Sequence, residues 1–238
     1  KLLEMSFDIT EAAQGPNTEK YRVYGTSTNM LNMNKLGLLP TRNYQEGVFE
    51  FAELVSGEYL DEHHKVKVIA CAQCPIACEQ MSMVKKGPFA GAMTGIEYEC
   101  LQAVSSNCGI DDMTAAIRLV DLADRSGMDA MSMGVTISFA MECYERGVLT
   151  KEDFKCNAAP DGIELNFGNG TGAVILAGMI RDREGIGDLL SQGTRIASQM
   201  LDEERGTETY QWAMNIKGLE CPGYDARALK TFAVGLAV

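Results

Sequence analysis

The stretch Asp112-Met-Thr-Ala-Ala-Ile-Arg-Leu-Val-Asp-Leu-Ala-Asp-Arg-Ser-Gly127 decides the fold class. Met113, Ala116, Ile117, Val120 and Ala123 recur at the three- and four-residue intervals that place apolar groups on one helix face. Asp111 or Asp112 supplies a capping oxygen ahead of them, and Gly127 supplies a stop, so the spacing predicts a helix over 112–125.

Working outward, Val135 to Arg146 reads as a second helix, apolar all round and therefore buried, with Gly147 at its end. Thr150-Lys-Glu-Asp153 is a near capping box with Asp in place of Glu. Helices follow at about Ala173–Arg183 and Asp188–Leu201, the latter with Leu189, Ile196 and Met200 on one face. Upstream, Val48, Phe51, Ala52 and Val55 fit a helix from Glu46 to Val55, which Gly57 ends. Residues 1–45 read as irregular, with turns at Gly15-Pro16-Asn17, Gly25-Thr26 and Leu39-Pro40. Gly87 to Gly95 reads as a glycine-rich hairpin or loop. Only Lys65–Ala70, Tyr21–Tyr24 and Ile163–Phe167 are strand candidates. The expectation is a mainly α, multihelical chain, an irregular array of helices with long loops and few short strands.

Composition agrees. Aromatic residues make up only 7%, against 24 Gly and 14 Met, which favours Ala/Leu/Met helices over a β-sandwich. The formal net charge of -12 repels phosphate backbones and excludes nucleic acid as a partner. No run of roughly 18 apolar residues is present to span a membrane, and no signal peptide is expected. The chain opens on Lys1 and stops on Val238 inside an apolar run, as expected of an internal piece of a longer protein.

Of the eight cysteines, three crowd together and the rest lie singly, mostly in apolar helical patterns. That distribution argues against a disulfide framework and for a reducing cytoplasm. The crowded three form Cys71-Ala-Gln-Cys74-Pro-Ile-Ala-Cys78. Thiols this close reach one cofactor only as thiolates on a tight loop. The spacing differs from that of bacterial ferredoxins and reverses the radical-SAM order. An iron–sulfur cluster is the leading reading. Zinc is the competitor, since it also takes four thiolates or His, but His63 and His64 lack a zinc spacing. Purely structural cysteines are the third.

Two acidic features stand out beside the cysteines. Glu97-Tyr98-Glu99 precedes an apolar helical stretch, where a desolvated carboxylate suits acid–base work or simply starts a helix. Asp124-Arg-Ser-Gly127-Met-Asp129 is a helix stop flanked by two carboxylates able to accept hydrogen bonds from an amino-substituted heterocycle. Gly168-Asn-Gly170-Thr-Gly172 lacks surrounding βα units and reads as the entry to a packed helix, not a dinucleotide loop.

Taken in order, these segments resemble the aldehyde:ferredoxin oxidoreductase family. The matching pieces are Gly37-Leu-Leu-Pro40-Thr-Arg-Asn43, the cysteine loop, Glu97-Tyr-Glu99, Asn107-Cys-Gly109-Ile, and Asp124-x-x-Gly127-Met-Asp129. Gly134-Val-Thr-Ile-Ser-Phe-Ala-Met-Glu142, Leu165-Asn-Phe-Gly168-Asn and Lys217-Gly-Leu-Glu220-Cys-Pro222-Gly-Tyr-Asp225-x-Arg227 complete the set. The resemblance implies that residues 1–205 form a helical middle domain and 206–238 begin a second helical domain, after a β-rich domain. It implies that Cys71, Cys74 and Cys78 ligate a [4Fe–4S] cluster, with the fourth cysteine much farther along. Cys108 is the nearby thiol that could replace it.

By the same resemblance, Asp124, Gly127 and Asp129 contact a tungstopterin or molybdopterin in bis-pterin form, and Glu99 is catalytic beside the metal. The implied activity is oxidation of aldehydes to carboxylic acids, with electrons passing through the cluster to ferredoxin or another electron-transfer protein. A family relative reducing aromatic acyl-thioesters or carboxylic acids is the alternative, and a non-catalytic electron-transfer module is a second. This stretch alone is expected to be inactive, and neither cofactor need stay with it. Met128 stands for Leu, Cys221 for an apolar residue and Gly223 for Ala in the family pattern, which leaves substrate open. Arg118 stands where some members have a subunit-bridging metal ligand, so that bridge is not carried over, although a homo-oligomer remains open.

Overall fold

The computed structural model describes all 238 residues. Three helices come first: α1 (Leu2–Gln14), α2 (Glu19–Tyr24) and α3 (Asn29–Lys35). After α4 (Gly57–His63) an antiparallel sheet β1 (Lys65–Ile69), β2 (Glu79–Met83) and β3 (Met93–Ile96) forms in sequence order, with a bulge between Lys65 and Lys67. The helical body is α5 (Tyr98–Val104), α6 (Met113–Ser126), α7 (Ala130–Glu145), α8 (Gly170–Asp182), α9 (Ile186–Leu190) and α10 (Thr194–Arg205). A small hairpin, β4 (Asn215–Ile216) and β5 (Leu219–Glu220), and α11 (Lys230–Ala237) follow. The chain is mainly α and multihelical, as expected. No helix is long and apolar enough to cross a membrane.

The caps explain where the central helices begin and end. The Asp112 carboxylate accepts the Thr114 N–H at 2.8 Å to open α6, and Gly127 closes it in the left-handed conformation at φ 66°. Met113, Ala116, Ile117, Val120 and Ala123 are all buried, on the face the periodicity placed them. Asp129 accepts the N–H groups of Met131 and Ser132, so α7 starts at Ala130 and not at Val135. Every residue of α7 from Met133 to Cys143 is buried, against α5 on one side.

That contact is close because of Gly134. A Cβ there would lie 2.6 Å from the Ala103 carbonyl carbon and 2.8 Å from its Cβ, so the α5 backbone fills the space. Replacing Gly134 with Ala is expected to lower stability by about 1–3 kcal/mol, the usual range for overpacking. An unchanged urea midpoint would show that α5 and α7 part freely.

Several expectations are corrected. Residues 1–45 carry α1 to α3, and Tyr21–Tyr24 lies in α2, not in a strand. The stretch Glu46–Val55 is not a helix; only Ala52–Val55 makes a 3₁₀ turn. Thr41 and Glu46 pair as an isolated antiparallel bridge that closes the turn between them. Phe49 is the buried anchor there, while Val48 and Phe51 are exposed. Gly57 opens α4, with Ser56 Oγ accepting the Tyr59 N–H, because a Cβ at Gly57 would sit 2.6 Å from the Thr28 nitrogen. Ile163–Phe167 forms no strand. The predicted helix Asp188–Leu201 breaks at Gly193 into α9 and α10, and Ile196 and Met200 face solvent while Ala197 and Leu201 are buried.

Candidate active site

The cysteine loop joins β1 to β2. The Cys74 N–H donates to the Cys71 carbonyl at 3.0 Å, and Gln73 and Ala77 both take left-handed φ values, 62° and 56°. These two left-handed residues and the Cys71–Cys74 turn tighten the loop. Its end is pinned from below, where Gly25 leaves no room for a Cβ, 2.7 Å from the Cys78 carbonyl oxygen. Cys71 is exposed, Cys74 and Cys78 are half-buried, and none is in a disulfide. Burial, with Glu97 next, pushes the Cys78 thiol up. No three His, Cys, Asp or Glu side chains yet converge as a ligand cage. The donor chemistry nonetheless fits an iron–sulfur cluster: three free, soft thiols on one short loop.

Cys108 does not fit as a fourth ligand. It is buried in the core, its Sγ donating to the carbonyls of Ala103 and Gly134 at 3.3 and 3.4 Å. Cys100 on α5 donates to the Glu97 carbonyl at 3.2 Å, and burial pushes its thiol up to about 12.

Glu97 and Glu99 face different ways, as residues two apart at a helix start must. Glu97 is exposed and within electrostatic reach of Cys78 and Cys100. Glu99 is half-buried, and its Oε2 accepts the Gly223 N–H at 2.7 Å. Burial raises its carboxyl above the ordinary carboxylate range, the Gly223 hydrogen bond partly opposing that rise.

Asp124 and Asp129 flank Gly127 on the surface, at the end of α6 and the start of α7. Asp124 is tied to β3 by the Thr94 hydroxyl. Asp129 is held by the α7 amides, and a Cβ on Gly127 would meet nothing within 4 Å. Glycine is used there for its conformation, not for space.

Of the residues around Glu99, Cys221 and Gly223 stand out in the sequence only as departures from the family pattern, and Tyr44 not at all. Arg42, Asn43 and Tyr44 run consecutively through the left-handed region at φ 47°, 53° and 62°. Such a turn is costly and persists only when its surroundings hold it. Here the Arg42 and Asn43 N–H groups donate to the carbonyls of Ser106 and Asn107, and Asn43 Nδ2 donates to buried Glu142 at 2.6 Å. Glu142 is in turn paired with Arg146 at 2.6 Å. The outcome is a fixed Tyr44, whose hydroxyl donates to the carbonyls of Cys221 and Pro222 at 2.6 and 2.8 Å. Residues 220–227 are thereby strapped across α5, over Glu99. The other forewarning was that both Arg42 and Gly223 fall in segments of the family pattern.

Comparisons with known proteins bear on this arrangement. The family model for aldehyde ferredoxin oxidoreductase, domains 2 and 3, matches residues 6–238. Tungsten-containing aldehyde ferredoxin oxidoreductases of Pyrococcus abyssi and Pyrococcus horikoshii are each 36% identical over 214 residues, 90% of this chain and 33% of theirs. A Pyrococcus furiosus protein described as an aliphatic sulfonate oxidoreductase, WOR-like subunit, is 30% identical over 79% of this chain and 29% of its own. Among solved structures, the active-site complex BamBC of benzoyl coenzyme A reductase with 1,5-dienoyl-CoA superposes with a TM-score of 0.63 at 21% identity. That match covers 84% of this chain and 29% of the other, and it speaks to the fold alone. The chain spans about a third of the length of the curated relatives it matches.

Proposed function

We propose that this chain, which belongs to the aldehyde ferredoxin oxidoreductase family, is the part of a tungsten- or molybdenum-pterin enzyme that oxidises aldehydes to carboxylic acids. Residues 1–205 form its helical middle domain and 206–238 begin the next. Cys71, Cys74 and Cys78 are the residues that would hold a [4Fe–4S] cluster, which when bound would supply one-electron transfer towards ferredoxin or another electron-transfer protein; a reducing cytoplasm would keep these thiols free.

The observation that carries the reading is Glu99, a half-buried carboxylate raised by burial and gripped by one backbone N–H. Converting an aldehyde and water to a carboxylic acid releases two protons and two electrons, so a positioned base is needed. Glu99 takes the proton from the water oxygen that becomes part of the acid. Its raised carboxyl makes it a better acceptor than an ordinary surface glutamate. When bound, the pterin-held metal supplies the two-electron redox couple. Cys71, Cys74 and Cys78 would hold the cluster with one further thiol from the rest of the polypeptide. Asp124 and Asp129, on either side of the Gly127 turn, would accept hydrogen bonds from the pterin's amino groups.

Anaerobic elemental analysis of the full-length protein, with pterin release, tests this. About four irons per chain with stoichiometric tungsten or molybdenum, and aldehyde-dependent reduction of a viologen dye, are expected. Iron without pterin would make the protein an electron-transfer module, and zinc alone would overturn both. Turnover of an aromatic acyl-thioester in place of an aldehyde would reassign the substrate within the family.

A further inference from the structure

We propose that the groove between α6 and the β2–β3 hairpin is a phosphate-binding site, in which Arg118 and Arg125, both held by the buried carboxylate of Asp121, grip the phosphate group of a small molecule. Glu99 plays no part in it.

The three charged residues share one face of α6, spaced three and four apart. Asp121 is 2% exposed, and both of its oxygens are occupied. Its Oδ2 accepts Arg118 Nη1 at 2.8 Å, and its Oδ1 accepts Arg125 Nε at 2.7 Å and the Met93 N–H at 3.4 Å. One guanidinium is enough to neutralise that carboxylate. The second leaves the trio positive, in a chain whose formal net charge is -12. Helix support accounts for only one of the two. An acid ahead of a base runs in the favoured sense, as Asp121 and Arg125 do, whereas Arg118 ahead of Asp121 runs against it.

Each arginine uses one side of its fork on Asp121, and no other protein group accepts a hydrogen bond from either. The remaining donors of both forks are free for a ligand. The two guanidinium groups, fixed on opposite oxygens of one buried carboxylate, have little freedom left to lose on binding.

Both arginines line a groove of about 380 Å³ with the hairpin residues Pro88 to Ala92. The hairpin is stiff. Gly91 N–H donates to the Val84 carbonyl and Val84 N–H to the Ala92 carbonyl, each at 2.9 Å, and Gly87 and Gly91 turn the chain at φ 90° and 92°. Half-buried Phe89 gives the groove an apolar wall beside the cations.

These features select the ligand class. A carboxylate is satisfied by a single fork, so two forks held side by side offer more donors than it accepts. A phosphate monoester brings three acceptor oxygens and up to two charges. The volume falls within the roughly 300–1,000 Å³ of small-molecule sites and exceeds what a bare ion fills. The groove therefore takes a phosphate carried on a small apolar or ring-shaped group that covers Phe89.

The test is calorimetric titration of the full-length protein with phenyl phosphate, inorganic phosphate, phenol and acetate. Phenyl phosphate should bind, inorganic phosphate more weakly because it leaves Phe89 uncovered, and phenol and acetate not at all. Arg118→Gln and Arg125→Gln should each weaken phenyl phosphate about tenfold or more, the loss that accompanies a charge-assisted hydrogen bond. Raising KCl from about 0.1 to about 1 M, which shortens the Debye length from ~10 to ~3 Å, should weaken the parent's binding as well. The two side chains are 34% and 64% exposed, so the variants should keep parental helical content, iron and aldehyde turnover.

No binding of phenyl phosphate, or undiminished binding in the double variant Arg118→Gln/Arg125→Gln, would overturn the proposal. Phenol binding as tightly as phenyl phosphate would do the same, and inorganic phosphate binding alone would mark an adventitious ion only. If the double variant fails to fold, undiminished binding in both single variants overturns it. Glu99→Gln should bind phenyl phosphate as the parent does, so failure of the Glu99 reading leaves this site untouched.

Discussion

Replacing Glu99 with Gln in the full-length protein should depress aldehyde turnover by about 10²–10⁴-fold, the range lost with a positioned acid–base group. Iron, metal and pterin should stay at parental levels. The reasoning is steric and electrostatic together. Gln has the shape of Glu, and its Oε can still accept the Gly223 N–H, so the strap and α5 keep their places. What disappears is the capacity to take a proton.

The sign of the pH dependence follows from burial. The folded-state carboxyl lies above its ordinary range, so the base form is lost as pH falls through that raised value, earlier than for a surface glutamate. Linkage gives the companion effect on stability. A carboxyl with a raised folded pKa binds its proton more tightly folded than unfolded, so its ionisation weighs against the fold above that pKa. Glu99→Gln should therefore match or exceed the parent's urea midpoint at neutral pH while losing activity. Loss of tungsten, molybdenum or iron alongside turnover would instead make Glu99 a structural residue.

The second large effect is expected at the cysteine loop. Cys74→Ser should abolish cluster retention, dropping iron and visible charge-transfer absorbance together, and electron delivery to any acceptor should fall with them. A serine hydroxyl does not ionise near neutral pH and makes a poor replacement for a thiolate. No nearby thiol is poised to substitute. Cys108 is buried with two carbonyl partners, and Cys100 is pushed up to about 12 by burial. The helical content should survive, because Cys74 is half-buried on a loop outside the core. Cys143→Ser is the control, since Cys143 lies in the core and should alter packing without touching iron. Full iron occupancy in Cys74→Ser would remove Cys74 from the ligand set.

The helices α6 and α7 were legible along the chain because everything that makes them is local. Their apolar intervals, the capping carboxylates Asp112 and Asp129, and the stop at Gly127 all lie within a few residues of one another. The cysteine loop was legible for the same reason, its three thiols and two tight turns being contiguous. The amino-terminal helices were not. Leu2, Met5, Ile9, Ala12 and Ala13 do recur at helical intervals, but the Gly15-Pro16-Asn17 turn beside them drew the reading to irregular chain, and α1 buries no residue. The stretch Glu46–Val55 had a helical interval without a helix, because the costly left-handed turn at residues 42–44 and the Thr41–Glu46 bridge take the backbone elsewhere.

By itself, then, the sequence determined a helical chain of the aldehyde ferredoxin oxidoreductase type and nominated Cys71, Cys74, Cys78, Glu99, Asp124, Gly127 and Asp129. Only the tertiary structure decided what surrounds Glu99. Its hydrogen-bond donor, Gly223, lies 124 residues away along the chain, and the tyrosine that fixes the intervening strap lies 177 residues before Cys221. Periodicity and caps act over a turn or two of backbone, whereas the desolvation and clamping of a carboxylate depend on which distant peptides the packed core brings against it.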